Sequence, residues 1–198
     1  MNEATSTSAA LDVARLRRET PGVAERVHLN NAGAAPPPAI VHRSVTEHLE
    51  RECLIGGYEA ADAAADALAG FYPSVAGLIG ADADEIAFVE NATRAFDMAF
   101  YAVPFRPGDR ILTAEAEYPS NVLAYLQMAR HRGVSVEPVP SDDAGGLDVH
   151  ALERMIDDRV RLVAVTHVPT HGGLVNPAAA IGEVTRRHGV LYLLDACQ

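Results

Sequence analysis

Lysine is missing from the 198-residue chain, and all sixteen basic residues are arginine. This excludes any reaction in which the chain alone supplies a lysine amine as base or Schiff-base partner. Two cysteines, Cys53 and Cys197, are too few for a disulfide framework, and a domain of this size does not need one; a reducing, cytoplasmic setting is expected. No apolar run approaches the roughly 20 residues of a membrane span, and the N-terminal MNEATSTSAALDVARLRR lacks a signal-peptide core, so a soluble, non-exported chain without a membrane partner is expected. Positive charge is scarce: sixteen basic against 27 acidic residues leave a formal charge of −11, which argues against a nucleic-acid partner. Repeats and low-complexity tracts are absent, although the alanine-rich stretch 60–69 reads as helix.

What is present suits a soluble globular domain, with 48% hydrophobic and 22% charged residues and enough chain for a real core. Residues 1–10 are polar and small, and LDVARLRRE predicts a short helix stopped by Thr20-Pro21-Gly22, giving a partly disordered arm over 1–25. VHLNNAGAAPPP predicts a brief strand-like piece and then an extended, irregular course. From Ile40 to Cys53, Val41, Val45, Leu49 and Cys53 repeat every four residues as an amphipathic stripe, with His42, Arg43, Glu47, Glu50 and Arg51 on the exposed face. A second helical region is expected over about 60–79, bent or interrupted at Pro73 and capped by Gly80.

Beyond that the text alternates. IAFVE, RILTA, VSVEPV, RLVAVTH and VLYLLD read as five strands, separated by the helical TRAFDMAFYAV, SNVLAYLQMARHR, DVHALERMI and PAAAIGEVTRRH. The last strands are nearly continuous apolar runs, as in a parallel sheet covered on both faces. The predicted fold is α/β: an open, mostly parallel sheet with helices on both faces and right-handed crossovers. The final strand ends three residues before the chain does, and a covering element is expected to be missing there.

Working residues in such sheets lie past the carboxyl ends of the strands. The candidates are Glu90 to Thr93, Glu115 to Asn121, His167 to Asn176, and Asp195 to Gln198. Asn91-Ala92-Thr93 opens a helix, where free N–H groups and the helix dipole favour a phosphate; simple capping by Asn91 or Thr93 is the plainer alternative. Arg94 opposes the dipole unless an anion sits nearby. Asp195 ends an apolar strand with no basic neighbour in sequence, so it either caps a following helix or meets a ligand with a protonated nitrogen. An anion turn and a carboxylate on different strands suit one flat ligand held at both poles, and pyridoxal phosphate has that shape.

HLNNAGAAPPP, ENATRAFDMAF, AEYPSN, THVPTHGGLVNP and LLDACQ, in this order, resemble the class V aminotransferases, fold-type I pyridoxal-phosphate enzymes that include cysteine desulfurases and isopenicillin-N epimerase-like proteins. The resemblance covers about Arg26 to Gln198 and implies an incomplete large domain over 26–198. It implies that Ala92 and Thr93 bind the cofactor phosphate, that Tyr118 stacks on the pyridine ring, that Asp195 pairs with the ring nitrogen, and that Gln198 and Thr170 meet the phenolic oxygen. Asn31, Ala32 and Gly33 match the segment lining the substrate side, and Arg94 is assigned to the same side. Cysteine desulfurases usually carry Asn at Thr170, Glu at Arg94 and His at Tyr118; the loss of the stacking histidine points away from a housekeeping desulfurase, and THVPTHGGLVNP looks more like the epimerase-like and C–S lyase branch. The resemblance also implies an amino-acid substrate and a homodimer. The family's Schiff-base lysine and its small C-terminal domain are expected beyond position 198, so the isolated chain is expected to be inactive, with no catalytic residue of its own.

Two rival readings are a non-catalytic remnant or scaffold that keeps only the phosphate turn, and an unrelated doubly wound nucleotide-binding domain, disfavoured because no glycine-rich fingerprint follows the first strand. His167 and His171 stand four apart on a loop rather than a helix and are not expected to bind metal. Cys197 reads as a buried packing residue, and Asp62, Asp66, Asp82 and Asp84 as a solvated surface.

Overall fold

The structure is a computed structural model that describes residues 11–170 and 173–197. The chain divides into two compact units, Met1–Ala87 and Phe88–Gln198.

The first unit is helical. Asp12 caps α1 (Val13–Glu19) by accepting from the Arg15 N–H at 2.9 Å. Then come α2 (Gly22–Glu25) and a single helical turn, α3 (Asn31–Ala34), where the sequence predicts strand-like and then extended chain. Asn30 makes that turn possible by capping the Gly33 N–H, and a Cβ at Gly33 would lie 2.7 Å from the Asn30 side chain. The three prolines end at Pro38, whose extended backbone releases the chain into α4 (Ala39–Ile55). The predicted helix over 60–79 is three helices: α5 (Gly57–Ala63), α6 (Ala65–Ala69) and α7 (Phe71–Ile79). The breaks fall at Ala64 and Gly70 rather than at Pro73, because Pro73 sits in the first turn of α7, where its absent N–H has no helical partner to lose. Gly80 ends α7 in the left-handed conformation, as predicted. The α4 stripe is not buried in this unit: Val41, Val45, Leu49 and Cys53 are all exposed.

The second unit is a three-layer α/β sandwich. Its elements are α8 (Ala92–Tyr101), β1 (Arg110–Ala114), α9 (Pro119–Arg132), β2 (Ser135–Val139), α10 (Val149–Met155), β3 (Val160–Thr166), α11 (Ala178–His188) and β4 (Leu191–Asp195). The sheet is parallel in the order β2-β1-β3-β4. Alternation along the strands builds two cores. Leu112, Ala114, Val163 and Val165 face Leu152 of α10 and Ile181 and Val184 of α11; Ile111, Leu162 and Ala164 face Phe96 and Phe100 of α8 and Tyr125 and Met128 of α9.

One expectation for the sheet is corrected. IAFVE, residues 86–90, joins no ladder among the described residues, so four strands replace five. Ile86 keeps an extended backbone, which is what its β-favouring neighbourhood encodes; pairing needs a second backbone in register and is not a local property. β4 is half-exposed and is an edge strand, paired with β3 alone among the described residues. The other edge strand, β2, tolerates Pro138 because it too is paired on one side only.

Candidate functional site

The carboxyl ends of β1, β3 and β4 lie along one edge of the sheet, and the polar residues of the second unit converge there. Asp195, the last residue of β4, pairs in register with Thr166, the last residue of β3. Its Oδ2 accepts from Asn121 Nδ2 at 2.9 Å and its Oδ1 from the Cys197 N–H at 3.2 Å. No cation pairs with it among the described residues, so its charge is oriented by neutral donors and left uncompensated.

The start of α8 faces the same edge: its C-terminal end joins β1 through residues 102–109, so it runs against the strands, and it packs on β4. Asn91 caps α8 by accepting from the Arg94 N–H at 2.9 Å. The N–H groups of Ala92 and Thr93 have no acceptor among the described residues, and both residues are exposed. Capping by Asn91 therefore leaves the next two N–H groups without an acceptor among the described residues. Arg94 is exposed, with the Glu90 carboxylate 4.0 Å away, a surface pair of small worth. Tyr118 occupies the cap position of α9 with its side chain exposed, and its N–H points to the Thr166 hydroxyl at 3.4 Å. Thr170 is exposed in the loop after β3.

Behind these residues lies a polar bracket: Glu117 and Asn176 fall within the candidate ranges read from the sequence, but the sequence assigns no role to them or to Thr166. Both Glu117 oxygens are held by Thr166, one by its N–H at 2.8 Å and one by its hydroxyl at 2.7 Å. Burial pushes the Glu117 carboxyl above the usual range, the Thr166 hydrogen bonds oppose this, and the Asp195 charge adds to it. Burial likewise raises the Tyr125 phenol, with the Glu117 charge as a second cause. The Thr113 hydroxyl lies beside both groups but makes no hydrogen bond of standard geometry. Asn176 fastens the end of β3 from the other side, donating to the Thr166 carbonyl at 2.8 Å and accepting from the Leu147 N–H at 2.9 Å. The available signal was AEYPSN itself, which places Glu117 and Asn121 just past a buried strand.

The remaining candidates fall elsewhere. Asn31, Ala32 and Gly33 belong to the first unit, on α3. Gln198 and His171 lie outside the described residues. Cys197 is exposed rather than buried, because it stands past the end of an edge strand and uses its N–H on Asp195. Asp62, Asp66, Asp82 and Asp84 are exposed, as expected. Among the described residues no group of three or more His, Cys, Asp or Glu is placed to hold a metal ion, and no helix is long and apolar enough to cross a membrane.

The parallel sheet with helices on both faces, and the polar residues at its carboxyl edge, match the large-domain architecture of the fold-type I pyridoxal-phosphate enzymes. Two solved structures match that fold. One is a cystine C–S lyase in complex with its product cysteine persulfide (TM-score 0.81, 23% identity, 90% of this chain and 49% of the other). The second is the apo cysteine desulfurase of Thermococcus onnurineus (TM-score 0.80, 24% identity, 95% of this chain and 48% of the other). The class-V aminotransferase family model matches residues 27–198, and the chain belongs to that family. Curated relatives include a probable cysteine desulfurase of Methanothermobacter thermautotrophicus, 34% identical over 92% of this chain and 46% of its own length. A cysteine desulfurase of Dickeya dadantii is 31% identical over 86% and 43% respectively. The chain thus spans about half the length of the curated relatives it matches. Pyridoxal phosphate is the cofactor of the family.

Proposed function

We propose that this chain carries the cofactor cradle of a pyridoxal-phosphate enzyme acting on an amino acid, with desulfuration or C–S cleavage of a cysteine-type substrate as the reading its relatives favour over epimerisation. One observation supports it most: the Asp195 carboxylate, held by neutral donors, and the open Ala92 and Thr93 N–H groups share one sheet edge, in a chain of this family. The donor set suits the group, an anion site for the phosphate and an unpaired carboxylate for a protonated ring nitrogen.

In this reading, Ala92 and Thr93 bind the phosphate with two N–H groups and a hydroxyl. Asp195 keeps the pyridine nitrogen protonated, Tyr118 covers a ring face, and Thr170 and Gln198 meet the phenolic oxygen. Asn31, Ala32, Gly33 and Arg94 serve the substrate side. When bound, the cofactor supplies an electron sink for the pair left at the substrate Cα. The chain's own residues orient that sink and hold its proton at nitrogen; lacking lysine, they supply no amine for its attachment. A division into an arm over 1–25 and an incomplete large domain over 26–198, a homodimer, a cytoplasmic setting and inactivity of the chain alone complete the proposal.

Fluorescence titration with pyridoxamine 5′-phosphate, which needs no lysine, tests the cradle. The phosphorylated compound is expected to bind and unphosphorylated pyridoxamine to bind at least about tenfold more weakly, given charge-assisted hydrogen bonds of about 1.5–3 kcal/mol. Equal affinity for the two, or none, would overturn the cradle, and with it the scaffold reading that keeps the phosphate turn. With pyridoxal 5′-phosphate and cysteine, the chain alone is expected to release no sulfide.

A further inference from the structure

Asp195 closes a ring of short connections. It pairs with Thr166 across the β3–β4 ladder; Thr166 clasps Glu117 through two hydrogen bonds; residues 118–120 lead into the first turn of α9; and Asn121 there donates back to Asp195 Oδ2 at 2.9 Å. Asn121 is 1% exposed and Thr166 4%, so neither is free to exchange its partner for water. Asn121 also offers the right kind of donor. Its amide fixes the carboxylate's orientation without adding a positive charge, whereas an arginine there would neutralise the group whose charge the ligand needs. Seventy-four residues separate Asn121 from Asp195, and beside their contact the Glu117–Thr166 clasp ties the start of α9 to the end of β3.

The geometry points to Asn121 as a positioning residue that aims the Asp195 carboxylate at the ring nitrogen of the cofactor, with the Glu117–Thr166 clasp holding Asn121 in place. This rests on the reading of Asp195 given under the proposed function. Removing the amide leaves Asp195 held by the Cys197 N–H alone among the described residues, so both the hold on the ring and the stabilisation of its proton weaken, while the phosphate turn on α8 is untouched.

The test uses the whole chain with pyridoxamine 5′-phosphate, following affinity by fluorescence and the ionisation of the bound ring nitrogen by absorbance across pH. Four proteins are compared: wild type, Asp195→Ala, Asn121→Ala, and Asn121→Leu, which nearly keeps the side-chain volume and removes the donor. Both Asn121 variants are expected to bind about tenfold more weakly and to release the ring proton about one pH unit lower than wild type, in the same direction as Asp195→Ala. Thermal unfolding of the same samples separates this from a purely structural role. Asn121 variants that melt lower or fail to fold, yet wherever folded leave the ring ionisation at the wild-type value, overturn the proposal and spare the cofactor reading. If Asp195→Ala itself leaves the ring ionisation unchanged, or wild type does not bind, the cofactor reading falls and takes the proposal with it.

Discussion

Glu117 is the residue whose cost and use are most evenly opposed. Its carboxyl is half-buried beside Asp195 without a cation, and burial raises its pKa above the ordinary value of 4.5. A raised carboxyl binds its proton more tightly in the folded state than in the unfolded one. Its stabilising contribution is therefore complete below the unfolded pKa and is lost as pH rises through the folded one. Glu117→Gln imitates the neutral form at every pH. The stability advantage of wild type over Glu117→Gln is expected to be greatest in acid and to shrink as pH rises past the ordinary carboxyl value of 4.5 and through the raised folded one, as read from urea unfolding at several pH values. An advantage that grows with pH would mean that Glu117 is held ionised and that its charge is favoured. At this scale the sequence disclosed Asp195, because a carboxylate ending an apolar strand is conspicuous locally. It did not disclose Asn121 or the Thr166 clasp, whose meaning depends on partners 74 and 49 residues away.

Elements were legible where local chemistry sets their ends. α9 and α11 stop at Gly133 and Gly189, both left-handed, with φ of 67° and 64°. Gly189→Ala forces a Cβ into that conformation with open space around it, so the penalty is conformational rather than steric. It is expected to lower stability by about 1 kcal/mol in denaturant unfolding, while leaving pyridoxamine phosphate affinity unchanged. Asn91→Ala removes the cap of α8 and is also expected to cost about 1 kcal/mol, but here the affinity should fall too, because the cap holds the turn that presents Ala92 and Thr93. The contrast between two equally destabilising changes separates helix stability from the site. Elements were illegible where their ends depend on the surroundings. Residues 86–90 have the composition of a strand and no ladder, and the breaks at Ala64 and Gly70 leave a run of helix formers that reads as continuous.

At the scale of the molecule, the two units differ in what they bury. The unit Phe88–Gln198 closes a core on each face of its sheet, with Phe100, Ile111, Leu112, Leu152, Val163 and Ile181 fully buried. Among the described residues of Met1–Ala87, Ala60 and Ala76 are the buried side chains, while Val41, Val45, Leu49, Leu54 and Leu68 remain exposed. Each fully buried large apolar side chain contributes about 1.5–3 kcal/mol against the entropy of ordering, and an alanine contributes far less. Composition could not reveal this difference, since the α4 stripe has the spacing of a core-facing helix whether or not anything covers it. Separate expression of residues 1–87 and 88–198 turns the difference into a measurement by circular dichroism and calorimetry. The second segment is expected to unfold cooperatively with a heat-capacity increment of about 12–15 cal/mol/K per residue. The first is expected to show helical signal that fades gradually on heating, without a calorimetric peak. A sharp, calorimetrically two-state transition in the 1–87 segment would contradict this, because it would require a core that Ala60 and Ala76 do not make.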